Sequence, residues 1–249
     1  KSTVGLILFA KNEATYLAGG ALTGSTDCIQ VAQDFPIFNV VYSYDGNRKG
    51  GQWSGGNIKR AQPSGRTCEG TVKIEMKGLG TTYGASATPP NIHPFLLASG
   101  LSGSLNGATW TYKPYPLGTA PNSLVMEVYD RGEYLPVSGA FCAMTFASDG
   151  AGITYADFKV QGVPGTLTDV ATPPARVWIA PAVIPPKNEK VNFTIGSYAT
   201  ANIRSYVYDQ GQEIVPRINL NATGSHSGYA LGRRNPTFKI TIEADALSS

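Results

Sequence analysis

The sequence predicts an all-β chain with one short helix, of the β-sandwich or barrel type, and three observations carry that reading. Glycine and proline are abundant, at 29 and 17 residues, and no charged amphipathic run of helical length is present. Such a chain is cut into many short strands joined by turns. Apolar and polar residues alternate through stretch after stretch, the period of a strand with one face buried and one face wet. Finally, two distant segments follow one plan: Tyr42-Ser43-Tyr44-Asp45 precedes Thr71-Val72-Lys73-Ile74 after a long excursion, as Tyr206-Val207-Tyr208-Asp209 precedes Thr237-Phe238-Lys239-Ile240. The duplication predicts two strand pairs, four strands able to share one sheet.

Along the chain, residues 1–10 read as a strand and 11–26 as an irregular arm rich in Gly, Ala and Thr. Residues 28–32 and 37–45 read as strands separated by Asp34-Phe35-Pro36. Residues 46–70 are dense in Gly, Ser, Asn, Arg and Lys, with Trp53 as the one large apolar side chain, and predict a long functional loop. The strand pattern resumes over 71–77. The helix is expected over 91–100: Asn91 or Thr88 can accept from first-turn amides, Pro94 is tolerable only early, and Gly100 suits a left-handed cap. Its Ile92, Phe95, Leu96 and Leu97 would bury one side. Further strands are expected at 108–112, 123–129, 140–147, 153–161, 176–181, 191–195, 202–209, 213–221 and 238–244. Asp130-Arg131-Gly132-Glu133 and Asp149-Gly150-Ala151-Gly152 have hairpin-turn composition. Because the duplicated segments lie near opposite ends, a single interleaved domain over 1–249 is favoured, with inner-sheet strands near 37–77 and 202–244 and an outer layer with the helix over 78–200.

Composition narrows the function classes. Charged residues make up 15% of the 249, against roughly 25% in ordinary soluble domains. A large uncharged surface fits a protein that buries its flanks in an assembly. The apolar stretch 4–10 is too short to span a bilayer and no cleavage-site pattern follows it, so neither a membrane segment nor a signal peptide is expected. Cys28, Cys68 and Cys142 are odd in number without paired spacing, and read as small buried hydrophobes in a reducing compartment.

Catalytic and metal chemistry find no foothold, so no enzyme activity, catalytic residue, metal or cofactor is expected. The two histidines, His93 and His226, sit in a helix start and a Ser/Gly loop. Gly100-Leu101-Ser102-Gly103 begins like a nucleophile elbow but Ser104 stands where the last glycine belongs. No phosphate-loop, dinucleotide, zinc-helix or calcium-loop spacing occurs. Asp45 and Asp209 each follow a strand and precede loop sequence, which turn initiation explains.

Charge is polarised along the chain. Between Tyr44 and Arg66 five cations, Arg48, Lys49, Lys59, Arg60 and Arg66, face one carboxylate, Asp45, a net +4 where the whole chain carries +3. With Trp53 this loop has the makings of a nucleic-acid grip, a contact to an acidic neighbouring copy, or a solvated loop. Nucleic-acid-binding domains concentrate more positive charge over the fold, so the neighbour contact leads.

Set in order, several segments resemble one family. They are Glu13-Ala14-Thr15-Tyr16 after an apolar strand, Gly70-Thr71-Val72-Lys73-Ile74-Glu75, the helix segment from Asn91 to Leu101, and Thr109-Trp110-Thr111-Tyr112. Then come the segment from Ser123 to Gly132, Val137-Ser138-Gly139-Ala140, the segment from Phe158 to Val163, Thr172-Pro173-Pro174, and the segment from Gly232 to Ile240. Their order is similar to that of the major tail tube proteins of long non-contractile-tailed (siphovirus) bacteriophages. The resemblance implies a structural virion protein of the viral tail. Each subunit would give an inner four-stranded sheet to a ring-shaped β-barrel, commonly hexameric. Rings would stack into the tube that conducts genomic DNA during ejection. It implies self-assembly in the host bacterial cytoplasm, partners such as tape measure and terminator proteins, and transient non-specific passage of double-stranded DNA. On that basis Lys73, Glu75, Lys239, Thr241 and Glu243 are candidate lumen-facing residues. Arg48, Lys49, Trp53, Lys59, Arg60 and Arg66 form a candidate inter-ring loop, and this loop and the arm 11–26 would order only on assembly. Two other readings stand beside it: a β-sandwich module binding a receptor or carbohydrate through Trp53, Trp110, Trp178 and the tyrosines, and another ring-forming tail protein such as a terminator.

Overall fold

A computed structural model describes residues 7–31, 38–45, 62–78, 88–107, 109–116, 119–130, 132–149, 152–170, 172, 174–175, 177–178, 183–185, 203–219, 221 and 226–242. The described residues are mostly β-strand with one short helix, as the composition predicts. In order the elements are β1 (Ile7–Asn12), β2 (Cys28–Ile29), β3 (Asn39–Asp45), β4 (Gln62–Glu75), α1 (His93–Ala98), β5 (Leu101–Asn106), β6 (Thr109–Pro114) and β7 (Leu124–Asp130). They continue as β8 (Glu133–Asp149), β9 (Tyr155–Pro164), β10 (Thr168–Asp169), β11 (Ile203–Asp209), β12 (Gln212–Ile218), β13 (His226–Arg234) and β14 (Thr237–Ile242).

One ten-stranded antiparallel sheet organises the molecule, and the 17-residue β8 is its axis. Along one side β8 pairs with β9, which leads through β4 to β3. Along its other side the first half pairs with β7, continuing to β1 and β2, and the second half pairs with β11, continuing to β14. The change of partner falls near Gly139, where the β8–β9 register shifts between Ser138 and Phe141. Two residues there face one, so Val137 and Ala140 both point into the core, at 1% and 0% exposure. Strands from both ends of the chain thus share one sheet, as the spacing of the duplicated segments predicts.

The apolar face of this sheet holds the core. Val72 and Ile74 of β4, Phe158 and Val160 of β9, Cys142 and Met144 of β8 and Met126 and Val128 of β7 belong to one buried cluster that α1 closes. Phe95 of the helix packs on Phe158 with ring centroids 5.2 Å apart. Each such side chain contributes about 1.5–3 kcal/mol by leaving water. Ile92, Phe95, Leu96, Leu97 and Ala98 are all buried, so the helix is wrapped rather than half exposed. The expected side-chain cap is absent. Ile92 occupies the cap position without one, while Asn91 is drawn away to donate its amide to the carbonyl of Gln30 at 3.3 Å. Gly100 does adopt the left-handed conformation, at φ +78°.

Four further expectations need correction. First, β4 starts at Gln62 and not at 71, so residues 62–70 are strand, paired with β3 and β9, instead of loop. Second, the duplicated segments are not equivalent in register: Asp209 pairs with Thr237, whereas Asp45 pairs with Gln62, nine residues short of Thr71. Period-2 alternation made them look alike; pairing did not. Third, β8 and β9, drawn from the 78–200 region assigned to an outer layer, stand between β4 and β11 at the centre of the main sheet. Fourth, the arm 11–26 is docked on its own chain. Tyr16 stacks on Phe141 at 5.9 Å, and its hydroxyl donates to the carbonyl of Tyr229 at 2.8 Å. The strands β5 and β13 were not expected at all. The strand expected at 191–195 lies outside the described residues, and Val177 and Trp178 lie in no strand.

β11 to β14 form one bent ribbon. β11 pairs with β14 in the main sheet, and β12 pairs with β13 in a separate two-stranded sheet. Gly211, at φ +58°, makes the bend, and its carbonyl accepts from the backbone N–H of Asn235 at 3.0 Å. Beyond it the β12–β13 arm folds back to the helix end, where the Arg234 guanidinium donates to the carbonyl of Gly100 at 2.6 Å.

Candidate functional site

Alternation along β4 sends Val72 and Ile74 into the core and leaves Lys73 and Glu75 on the opposite face. Directly paired residues in an antiparallel ladder share a face, so registers carry this face across the sheet. Lys73 lies opposite Asp157 of β9, and Asp157 opposite Thr145 of β8. Thr145 lies opposite Asp209 of β11, and Asp209 opposite Thr237 of β14. The next row runs Glu75, Tyr155, Ala147, Val207, Lys239. Ser205 and Thr241 follow it. Lys73, Glu75, Lys239 and Thr241 therefore occupy one face of one sheet, although β9 and β8 intervene.

This face is open over β11 and β14, where Asp209, Lys239 and Thr241 are exposed, and partly shielded over β4 and β9. Its described charges nearly balance: Lys73, Lys159 and Lys239 stand among the four carboxylates of Glu69, Glu75, Asp157 and Asp209. The ammonium of Lys73 lies 5.2 Å from the centre of the Tyr155 ring, and the Gln161 amide donates to Glu69 at 3.0 Å. Among the described residues this face presents polar groups of both signs and no cluster of cations.

Sequence reasoning missed the middle of this face. Tyr155, Asp157, Lys159 and Gln161 of β9, with Thr145 of β8, belong to it as much as β4 and β14 do. The signal was present in the alternation of β9, whose buried positions Ala156, Phe158 and Val160 interleave with those polar residues. Of the remaining candidates, Arg66 is exposed on β4, opposite Tyr42, and is part of the sheet instead of a loop. Arg48, Lys49, Trp53, Lys59, Arg60 and Glu243 lie outside the described residues.

The residues weighed for chemistry have structural surroundings. His93 Nδ1 lies 2.8 Å from the Tyr112 hydroxyl and its ring meets Trp110 edge-on at 4.8 Å. Burial there lowers its pKa to about 4. Burial also pushes the Cys68 thiol up to about 12 and raises that of Cys142, so both are protonated and inert at neutral pH. Asp209 accepts the backbone N–H of Gly211 at 2.8 Å, the turn-forming role expected of it. Among the described residues no group of His, Cys, Asp and Glu is arranged to hold a metal ion. Trp110 packs beside His93 whereas Trp178 packs against Ile7, Phe9 and Cys28, so these two tryptophans build no common platform.

Among the described residues no helix is long and apolar enough to cross a membrane. No protein-family model matches the chain, and no curated protein matches it.

Proposed function

We propose that this chain is a structural ring-forming subunit, of the kind that builds the tail tube of long non-contractile-tailed bacteriophages. Its copies join edge to edge, probing no substrate and performing no reaction. Identical rings stack into a tube that conducts double-stranded DNA, in company with tail partners such as tape measure and terminator proteins. Assembly takes place in the host bacterial cytoplasm and the product belongs to the virion tail.

One observation carries the reading. β14, β11, β8, β9, β4 and β3 form an unbroken antiparallel run of six strands. With an even number of strands the two outermost among the described residues, β3 and β14, run in opposite directions. A second copy adding its β14 beside β3 therefore continues the antiparallel pattern without interruption. Exposed edges invite uncontrolled pairing, and a closed ring of identical neighbours removes them. Each subunit then contributes six strands to the wall, where the resemblance alone implied four. The mixed-charge face with Lys73, Glu75, Lys239 and Thr241 becomes the lumen side. Its near balance of sign suits passage of DNA without a sustained phosphate grip.

Negative-stain microscopy of concentrated protein tests this. Long hollow tubes or closed rings are expected. Dispersed particles at every concentration and salt condition rule the reading out. Removing residues 50–56 from the basic segment is expected to leave a folded protein that forms rings but does not stack; normal tubes from that deletion remove the segment's role.

A further inference from the structure

The two outermost strands of the six-stranded run are matched in side-chain shape as well as in direction. On β14, Phe238, Ile240 and Ile242 share the face opposite Lys239, and Phe238 and Ile242 are large apolar side chains left 48% and 46% exposed. At the other end of the run, a cavity of about 260 Å³ opens beside β3. Phe38, Val40, Val128 and Leu135 give it an apolar part, Arg66, Asp130 and Glu133 line it with charge, and Leu167 is 52% exposed beside them. A cavity of roughly 150 Å³ already admits a benzene-sized ring, so this one has room for a phenyl or branched aliphatic side chain.

The faces agree. Val40 pairs with Cys68, which is buried on the core side, so the cavity opens on the core side of β3. Phe238 and Ile242 pair across β11 with residues on that same side: Phe238 lies opposite Tyr208, and Tyr208 opposite Phe146, which packs against the core. If β14 of a second copy continues the sheet past β3, its Phe238 and Ile242 arrive above the cavity and its Lys239 arrives on the polar face. A slip of one residue would reverse both placements. Within one copy the two strands are separated by five strand spacings of about 4.8 Å each, so the occupant comes from another molecule.

We propose that a second copy of this chain docks by seating Phe238 and Ile242 of its β14 in the cavity beside β3, a head-to-tail contact that fixes the register of the ring. This rests on the ring-forming reading and adds to it the side chains that select the neighbour. Backbone pairing alone is tolerant of slippage; an apolar knob entering a hole on one face is not.

The test uses two full-length variants, Ile242→Glu on the knob and Leu167→Glu at the cavity mouth. Both positions are solvent-exposed in the single chain, and circular dichroism with a thermal melt confirms that each variant folds. Sedimentation across a concentration series is expected to show association weakened by about tenfold or more for each variant alone. Mixing them restores one intact junction per pair, so one-to-one heterodimers form and growth stops there. In a second measurement, Ile242→Cys mixed with Leu167→Cys is expected to give a disulfide-linked dimer under mild oxidation, since the three native cysteines are buried. Both glutamate variants assembling like the parent, without the cross-link, overturns the seating while leaving ring formation standing. Assembly of the cavity variant with failure of the knob variant points instead to a symmetric contact between two β14 strands, and also overturns it. A parent chain that never associates removes the ring reading and the seating together.

Discussion

The backbone N–H of Gly139 donates to both carboxylate oxygens of Glu13, at 3.1 Å each, across 126 residues of sequence. The same carboxylate accepts the backbone N–H groups of Leu17 and Gly19 and the hydroxyl of Ser123. Glu13 is only 7% exposed. One buried side chain therefore fastens the arm after β1 to the point where β8 changes partners from β7 to β11. It replaces the water that the arm's amides would otherwise need.

Glu13→Ala strands these donors. A loss of about 3 kcal/mol is expected, because each buried donor left unsatisfied costs roughly 1–3 kcal/mol and partial relaxation recovers some of it. A chemical-denaturation midpoint lowered at unchanged m-value checks this. A change within about 0.5 kcal/mol, the range of ordinary surface substitutions, contradicts it.

Gly211→Ala is expected to cost about 1–3 kcal/mol. Gly211 adopts φ +58°, and an added Cβ would overlap the carbonyl of Asn235, in the facing connection between β13 and β14. The strain acts on the bend of the ribbon, so faster amide exchange should concentrate in β11 and β14. Uniform acceleration across β4, β8 and β9 would argue against a local cause.

His93 makes stability depend on pH. Its folded-state pKa of about 4 lies below its ordinary value of 6.5 because burial disfavours the cation. The unfolded chain therefore binds the proton more readily, and stability is full above about pH 6.5 and falls as pH drops toward 4. Allowing for partial solvent screening, the loss is on the order of 1–2 kcal/mol. His93→Gln should flatten that part of the stability curve, while an unchanged slope would assign it to other groups.

Cys28, Cys68 and Cys142 are all buried and none is in a disulfide. Native protein at pH 8 should react with a thiol reagent at a rate set by unfolding, with three equivalents appearing promptly in denaturant. Rapid labelling of a native thiol at that pH would mean that the core is more open than the packing of Cys68 and Cys142 indicates.

Local signals in the sequence determined many of the elements, though not β5, β13 or the first half of β4. Alternation marked β4, β9, β11 and β14, the Asp130 to Glu133 turn joined β7 to β8, and the apolar run from Ile92 to Ala98 marked the helix. They also assigned Lys73, Glu75, Lys239 and Thr241 to the wet side of their strands. Each of these depends on residues within a few positions of one another, which is the range over which side-chain period and turn chemistry act.

Tertiary structure alone decided which strands became neighbours. The duplicated motif suggested β3, β4, β11 and β14 as one unit, but a period of two fits any partner of suitable polarity. The central places went to β8 and β9, whose Cys142, Met144, Phe158 and Val160 complete the core beneath the helix. The docking of the arm was likewise invisible, because the partners that tie Glu13 to the sheet, Ser123 and Gly139, are 110 and 126 residues away. Strand pairing and buried polar contacts of this kind are chosen by how well the whole chain can enclose its apolar surface and satisfy its amides, a competition no short window contains.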